Sequence, residues 1–217
     1  MSAVPAWQIE AAREPAASAR SRLYCAFADA FDYPQGERLQ RWCDGRLAAD
    51  LEERLAALPW AMSLPAGLTL DSGSEGAAHY SALFDIGTGR PKIALLERSH
   101  DPGRPALPAL WEDLLRYYRY FGLDFARRAG GAPPDHLLLE LEFMHYLGFL
   151  ETAIAGSRDD LRRAQRDFLE RHLARWTGPL AARLAAQAAD CPYGALSGLL
   201  DDFVQADLQW LRAPRFS

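Results

Sequence analysis

The sequence predicts an all-α fold: a single globular helical domain, residues 1–217, of roughly eight helices. Three observations lead there. Alanine, leucine and arginine dominate while valine and isoleucine are scarce, and the former keep their rotamer freedom in a helix where β-branched residues lose it. Apolar residues recur at spacings of three and four along most of the chain. Proline and glycine clusters punctuate these runs, with no repeat period, sustained heptad or low-complexity tract.

The first predicted helix runs from Ala16 to Phe31, where Leu23, Phe27 and Phe31 share a face and Tyr33-Pro34 ends the run. The second runs from Glu37 to Leu58, with Leu39, Trp42, Leu47, Leu51, Leu55 and Leu58 on its apolar side and Pro59 as its stop. Residues Trp60 to Gly76 read as a loop. Glu75 to Asp85 reads as a short amphipathic helix carrying Tyr80, Leu83 and Phe84 at i, i+3, i+4. Ile86 to Pro108 is the least helical part, a long surface loop or hinge with one helical turn at Ala94 to Arg98; loops of this length in compact domains are often functional. Its Gly87-Thr88-Gly89 lacks the spacing of a phosphate loop. Pro108 to Arg128 is helical again, with a break at Gly122, and the glycines and prolines from Gly130 to Pro134 stop it. A helix from Asp135 to Ala155 follows. Arg158 to Ala189 is expected to divide at Gly178-Pro179, and Tyr193 to Leu211 is the last helix.

Composition also narrows function. A formal net charge of −5 argues against a nucleic-acid binder, which needs a basic stripe, and is compatible with a basic peptide partner. Cys25, Cys43 and Cys191 are scattered, which fits a reducing compartment and small apolar packing roles. The first residues lack a basic start followed by an apolar run, and the longest uncharged segment, Leu58 to Leu70, is too short to cross a bilayer. A cytoplasmic protein without membrane insertion is expected.

The stretch PPDHLLLELEFMHYL, Pro133 to Leu147, carries the most specific signal. Its helix is apolar on every side, which places it at the centre of a protein. Asp135 is expected as the N-cap, accepting first-turn N–H groups, with His136 at the first helical position. A histidine has no capping reason to stand there, since the helix dipole disfavours a cation. His136 and Glu140, four apart, can meet on one face. Two E-x-x-H pairs, Glu97 with His100 and Glu142 with His145, raise the alternative of a di-iron helical-bundle enzyme, although Asp101-Pro102-Gly103 follows His100 at once.

YSALF (Tyr80 to Phe84), GLDF, the PPDH stretch and QRDFLERHLARW (Gln165 to Trp176) occur in this order. Together they resemble the TorD/DmsD/NarJ family of all-helical molybdoenzyme chaperones, over roughly Glu75 to the C-terminus. The resemblance implies a TorD-like domain without catalytic, metal or cofactor residues. It also implies a cytoplasmic chaperone that binds the N-terminal, twin-arginine-type leader of a molybdenum-cofactor oxidoreductase's catalytic subunit, assisting cofactor insertion and assembly before export. Asp135 and His136 then match the family's peptide-site pair, and Tyr80, Leu83 and Phe84 its Y-x-x-L-F patch, with Glu140 beside them. A groove lined by Leu and Phe with an acidic rim would suit such a leader, and the chaperone would be a monomer or homodimer.

Overall fold

The apolar spacings do close into helices. The computed structural model describes residues 15–70, 73–84, 91–101, 103–123, 131–154, 157–188 and 191–213, and among these there are nine α-helices and no strand. They are α1 (Pro15–Phe31), α2 (Gly36–Cys43), α3 (Arg46–Ala56), α4 (Gly73–Phe84), α5 (Leu107–Tyr120), α6 (Leu137–Ala153), α7 (Arg158–Arg171), α8 (Leu173–Gln187) and α9 (Pro192–Arg212). A short 3₁₀ turn, Glu97–Ser99, lies in the long connection before α5. None of the described helices is long and apolar enough to cross a membrane.

The all-α expectation holds, with shifted boundaries: α4 starts at Gly73, inside the expected loop, and α5 ends at Tyr120, the expected continuation over 124–128 lying outside the described residues. The predicted helix from Glu37 to Leu58 is broken at Asp44-Gly45: Gly45 takes φ +77°, a left-handed conformation that only glycine adopts without strain, and the Asp44 carboxylate accepts the Arg46 N–H at 3.1 Å. Trp42, Leu47, Leu51 and Leu55 still reach the core, because the kink redirects the apolar stripe rather than interrupting it. The division expected at Gly178-Pro179 falls instead at His172, while Pro179 lies inside α8. His172 turns there because its imidazole is drawn into the interior between Glu97 and Asp113. The stretch that Pro179 would weaken is held by α9, where Gln205 Nε2 donates to Ala174 O at 2.9 Å and the Asp201 carboxylate packs on Gly178.

Helix α6 is the centre that its all-round apolar character predicts. Leu137, Leu141, Phe143, Met144 and Leu147 are buried, and only toward its end does Phe149 emerge into solvent. Helix α1 lies along it and α7 packs on another side, while α9 pairs with α8 and also meets α7 and α1. Phe143 sits among Tyr118, Phe121 and Phe168 with ring centroids 4.8–5.8 Å apart, mostly edge to face, the arrangement aromatic quadrupoles favour. The α1–α6 approach is close because Gly148 presents no side chain: a Cβ there would stand 2.9 Å from Ser21 Cβ and 3.3 Å from Ser21 Cα. Ser21 completes the contact by donating to His145 O at 2.8 Å.

Four helices also meet on a buried charge. Arg20 of α1 has no solvent exposure. Its guanidinium donates to Asp207 of α9 through Nε and Nη2, to Glu151 of α6 at 3.2 Å and to Gln165 of α7 at 2.7 Å. Tyr24 adds a hydrogen bond to Asp207 at 2.7 Å, and the Trp210 ring lies 4.6 Å beneath the guanidinium. A buried ion costs several kcal/mol to desolvate unless its donors are matched, and here they are.

Two stability losses follow, each readable as a shift in urea midpoint. Gly148→Val forces α1 and α6 apart and should cost about 1–3 kcal/mol. Arg20→Ala leaves Asp207 without a cation in the interior, while Glu151 keeps Arg162, and should cost roughly 3–5 kcal/mol.

Candidate functional site

Pro133 and Pro134 carry the chain to α6, and the turn they make decides which side chains face outward. His136 N donates to Pro133 O at 3.1 Å, and Tyr118 OH donates to Pro134 O at 2.9 Å, tying the turn to α5. The N-cap of α6 is His136, not Asp135. His136 takes extended angles (φ −86°, ψ 136°), and its Nδ1 accepts the Leu138 N–H at 3.3 Å. That bond leaves the ring proton on Nε2 as a donor.

Asp135 is not free to cap because its carboxylate is engaged elsewhere. It is fully buried, accepts Trp111 Nε1–H at 2.8 Å and Arg98 Nη1–H at 3.0 Å through Oδ1, and accepts the Arg98 backbone N–H at 3.3 Å through Oδ2. The backbone is stitched at the same place. Glu97 N donates to Asp135 O at 2.9 Å and Leu137 N to Leu95 O at 3.0 Å, an isolated antiparallel bridge between Leu96 and His136. The connection before α5, read as a loop, is thus fixed as a wall against the start of α6.

Between this wall and α4 lies a cleft of about 750 Å³. Tyr80, Phe84, Leu96, Arg98 and His136 line it. Tyr80 is held by Phe31 O, to which its hydroxyl donates at 3.2 Å, and Tyr80 and Phe84 both stand edge-on to Tyr193. The remaining expected residues lie beneath. Leu83 is buried and its carbonyl accepts Ile93 N–H at 2.8 Å; Glu140 is wholly buried one turn into α6. The structure therefore brings Tyr80, Phe84 and His136 together on one surface and places Leu83, Asp135 and Glu140 behind it. The expected acidic rim is replaced: among the described residues the cleft is lined by Lys92, Arg98 and Arg183, and by no carboxylate.

The wall is anchored from inside by a second polar chain. Trp176 Nε1 donates to Glu140 Oε2 at 3.1 Å, Glu140 lies beside Glu97, and Glu97 meets His172 Nδ1 at 3.1 Å. His172 Nε2 lies 3.5 Å from Asp113 on α5. Burial, and next the charge of Glu97, hold the Glu140 carboxyl well above the usual carboxylate range, so that it carries a proton to share with Glu97. Burial pulls the His172 imidazole down, but its bonds to Asp113 and Glu97 outweigh this and leave it above its ordinary value. Local spacing carried no sign of this chain, because its members come from four separate elements. Arg98 and Trp111 were equally hidden; Trp111 reads as part of an apolar stripe until its indole N–H is seen on Asp135.

The two E-x-x-H pairs do not converge. His100 is bonded to Ala94 O at 2.7 Å and stacked on Trp176, whereas His145 meets Ser21 Oγ at 2.9 Å on the far side of α6. Among the described residues no group of three or more His, Cys, Asp or Glu is placed to hold a metal ion.

The raised Glu140 and His172 have the same sign for stability. Each contributes stability that is fully present below its unfolded value, about 4.3 for Glu and about 6.5 for His, and that is lost as pH rises through the folded value. Their joint contribution should therefore decline between about pH 5.5 and 8, against the smaller opposite contribution of the buried His100, whose value burial lowers. Glu140→Gln keeps a donor for Glu97 and an acceptor for Trp176 but cannot ionise, so its decline should be shallower by up to about 1.4 kcal/mol per pH unit. Urea midpoints across this range check it; equal slopes for the two proteins would refute it.

Comparison with known proteins adds the family. The model of the nitrate reductase delta subunit family matches residues 44–182. The chain is 32% identical over 201 residues to the perchlorate reductase assembly chaperone protein of Dechloromonas aromatica, covering 88% of this chain and 89% of that one. It is 37% identical over 134 residues to the selenate reductase assembly chaperone protein of Thauera selenatis, covering 59% and 66%. It is 36% identical over 181 residues to the dimethyl sulfide dehydrogenase assembly chaperone protein of Rhodovulum sulfidophilum, covering 78% and 69%. With its model matched over more than half of the chain, this protein belongs to the nitrate reductase delta subunit family, of the NarJ/TorD type.

Proposed function

We propose that this chain is a cytoplasmic assembly chaperone, not an enzyme, for the catalytic subunit of a molybdenum-cofactor oxidoreductase. It binds the N-terminal, twin-arginine-type segment of that subunit and holds it until the cofactor is inserted and assembly is complete, before export. The observation that carries this reading is the cleft between α4 and the start of α6, built from the motifs that resemble the family. Assembly chaperones of perchlorate, selenate and dimethyl sulfide enzymes are among its relatives, which supports the class of client.

The cleft's dimensions suit the task. About 750 Å³ lies within the range of sites that enclose a compact ligand, so it takes a few side chains of a client segment rather than a whole helix. Tyr80 and Phe84 offer apolar surface to those side chains, and the His136 ring sets a polar edge beside them. Asp135 acts through Arg98, whose position it fixes, and Leu83 and Glu140 support the floor. Whether bound by one chain or by a homodimer, the client would meet the same surface.

Affinity capture from the native cytoplasm, read by mass spectrometry, tests this. The expected result is recovery of one molybdoenzyme catalytic subunit, with His136→Ala reducing recovery by roughly tenfold, equivalent to about 1.4 kcal/mol. Asp135→Asn keeps the acceptor for Trp111 but weakens the hold on Arg98, and should reduce recovery as well. Undiminished recovery by both variants would move the site elsewhere, and absence of any such subunit would overturn the function.

A further inference from the structure

Among the described residues, the charge on the cleft has the same sign as that of an arginine-bearing leader. We propose that the cleft reads a carboxylate on its client segment through Arg98, Lys92 and Arg183, so that the stretch it accepts is an apolar run flanked by acidic residues. This rests on the chaperone reading and specifies which part of the client the cleft recognises.

Arg98 is the built element. Its Nη1 is held by the buried Asp135 at 3.0 Å, and its guanidinium lies 5.6 Å from the centre of the Trp111 ring. The side chain is 27% exposed, and neither Nε nor Nη2 has a partner among the described residues. One edge of the fork is thus fixed and the other is left for a ligand, which lowers the entropy lost when a carboxylate binds it. Asp135 has no such freedom, since its carboxylate already accepts from the Trp111 indole and from both the side chain and the backbone N–H of Arg98. Among the described residues of the cleft, a client guanidinium would find no carboxylate to replace them.

The other two cations set the sign of the field. Arg183, exposed on α8, makes no ion pair among the described residues, and Lys92 donates only to the neutral Gln187 carbonyl, at 3.0 Å. Both line the cleft with Arg98. Two like charges 4 Å apart repel by about 1 kcal/mol in water and about 4 kcal/mol at the effective dielectric of a protein surface, so a leader's arginines are driven out of this cleft while carboxylates are drawn in. In a twin-arginine-type segment the cleft would therefore hold a part that does not include the arginine pair.

The test uses overlapping 15-residue peptides that span the catalytic subunit captured by the wild-type chain. Each peptide is made as encoded and with Asp→Asn and Glu→Gln throughout, and binding to the full chain is followed by fluorescence anisotropy. The tightest peptides should carry a carboxylate beside an apolar run, and amidation should weaken them at least tenfold. Lys92→Glu with Arg183→Glu should weaken the native peptides to a similar extent at an unchanged urea midpoint. A peptide with Lys in place of its acidic residue should recover binding to that double variant. Tight binding that is indifferent to amidation, or that depends on an arginine pair, overturns the proposal and leaves the chaperone reading intact. Failure of the wild type to capture any catalytic subunit overturns both.

Discussion

A guanidinium without access to water is the constraint on which the helical arrangement depends. Apolar packing alone would let α1 and α7 slide along α6, and α9 along α7, because a leucine accepts many neighbours of similar shape. Arg20 does not. Its donors are satisfied only when Glu151, Gln165 and Asp207 arrive together, from three helices and at fixed distances. Any sliding would strand a charge in the interior, so the network selects one packing among those the hydrophobic effect would permit.

Helix α6 is pinned at both ends by this kind of interaction. Glu151 fixes its last turns to Arg20, and Glu140 fixes its first turns to Trp176 and to the Glu97 wall. The cleft lies just outside the second anchor. Its wall is not a helix or a strand but a connection held by one pair of backbone bonds, a 3₁₀ turn and a buried carboxyl–imidazole chain. A surface made this way can vary in its outward side chains while the buried ones keep its shape.

Much of the fold was legible from residue spacing, and the failures share a cause. Leu23, Phe27 and Phe31 were placed correctly because period and burial agree. Central α6 was legible because no other position suits a helix apolar on every side. The break at Gly45 was missed because the apolar stripe continues through it, and the break at His172 because local rules favour Pro179 while a tertiary contact to Glu97 decides. The same holds at the site. Tyr80, Phe84 and His136, which the ordered motifs named, line one cleft, whereas Arg98, Lys92 and Arg183, and Trp111 behind them, come together only once the chain is folded. Asp135 read as a cap because its neighbours on the chain allow that role; its neighbours in space give it another.

The pairing of Arg20 with Asp207 also has a consequence for how the protein is made. The two residues stand 187 positions apart, so at ordinary rates of translation roughly 10–40 s separate their emergence. Throughout that interval α1 carries an arginine that its closing partner has not reached, and it cannot settle into the interior without leaving a charge bare. Helix α9, the last described element, is thus the piece that completes the core, and the nascent chain stays open until it docks. A member of a family that includes assembly chaperones must itself first wait for the last of its described helices.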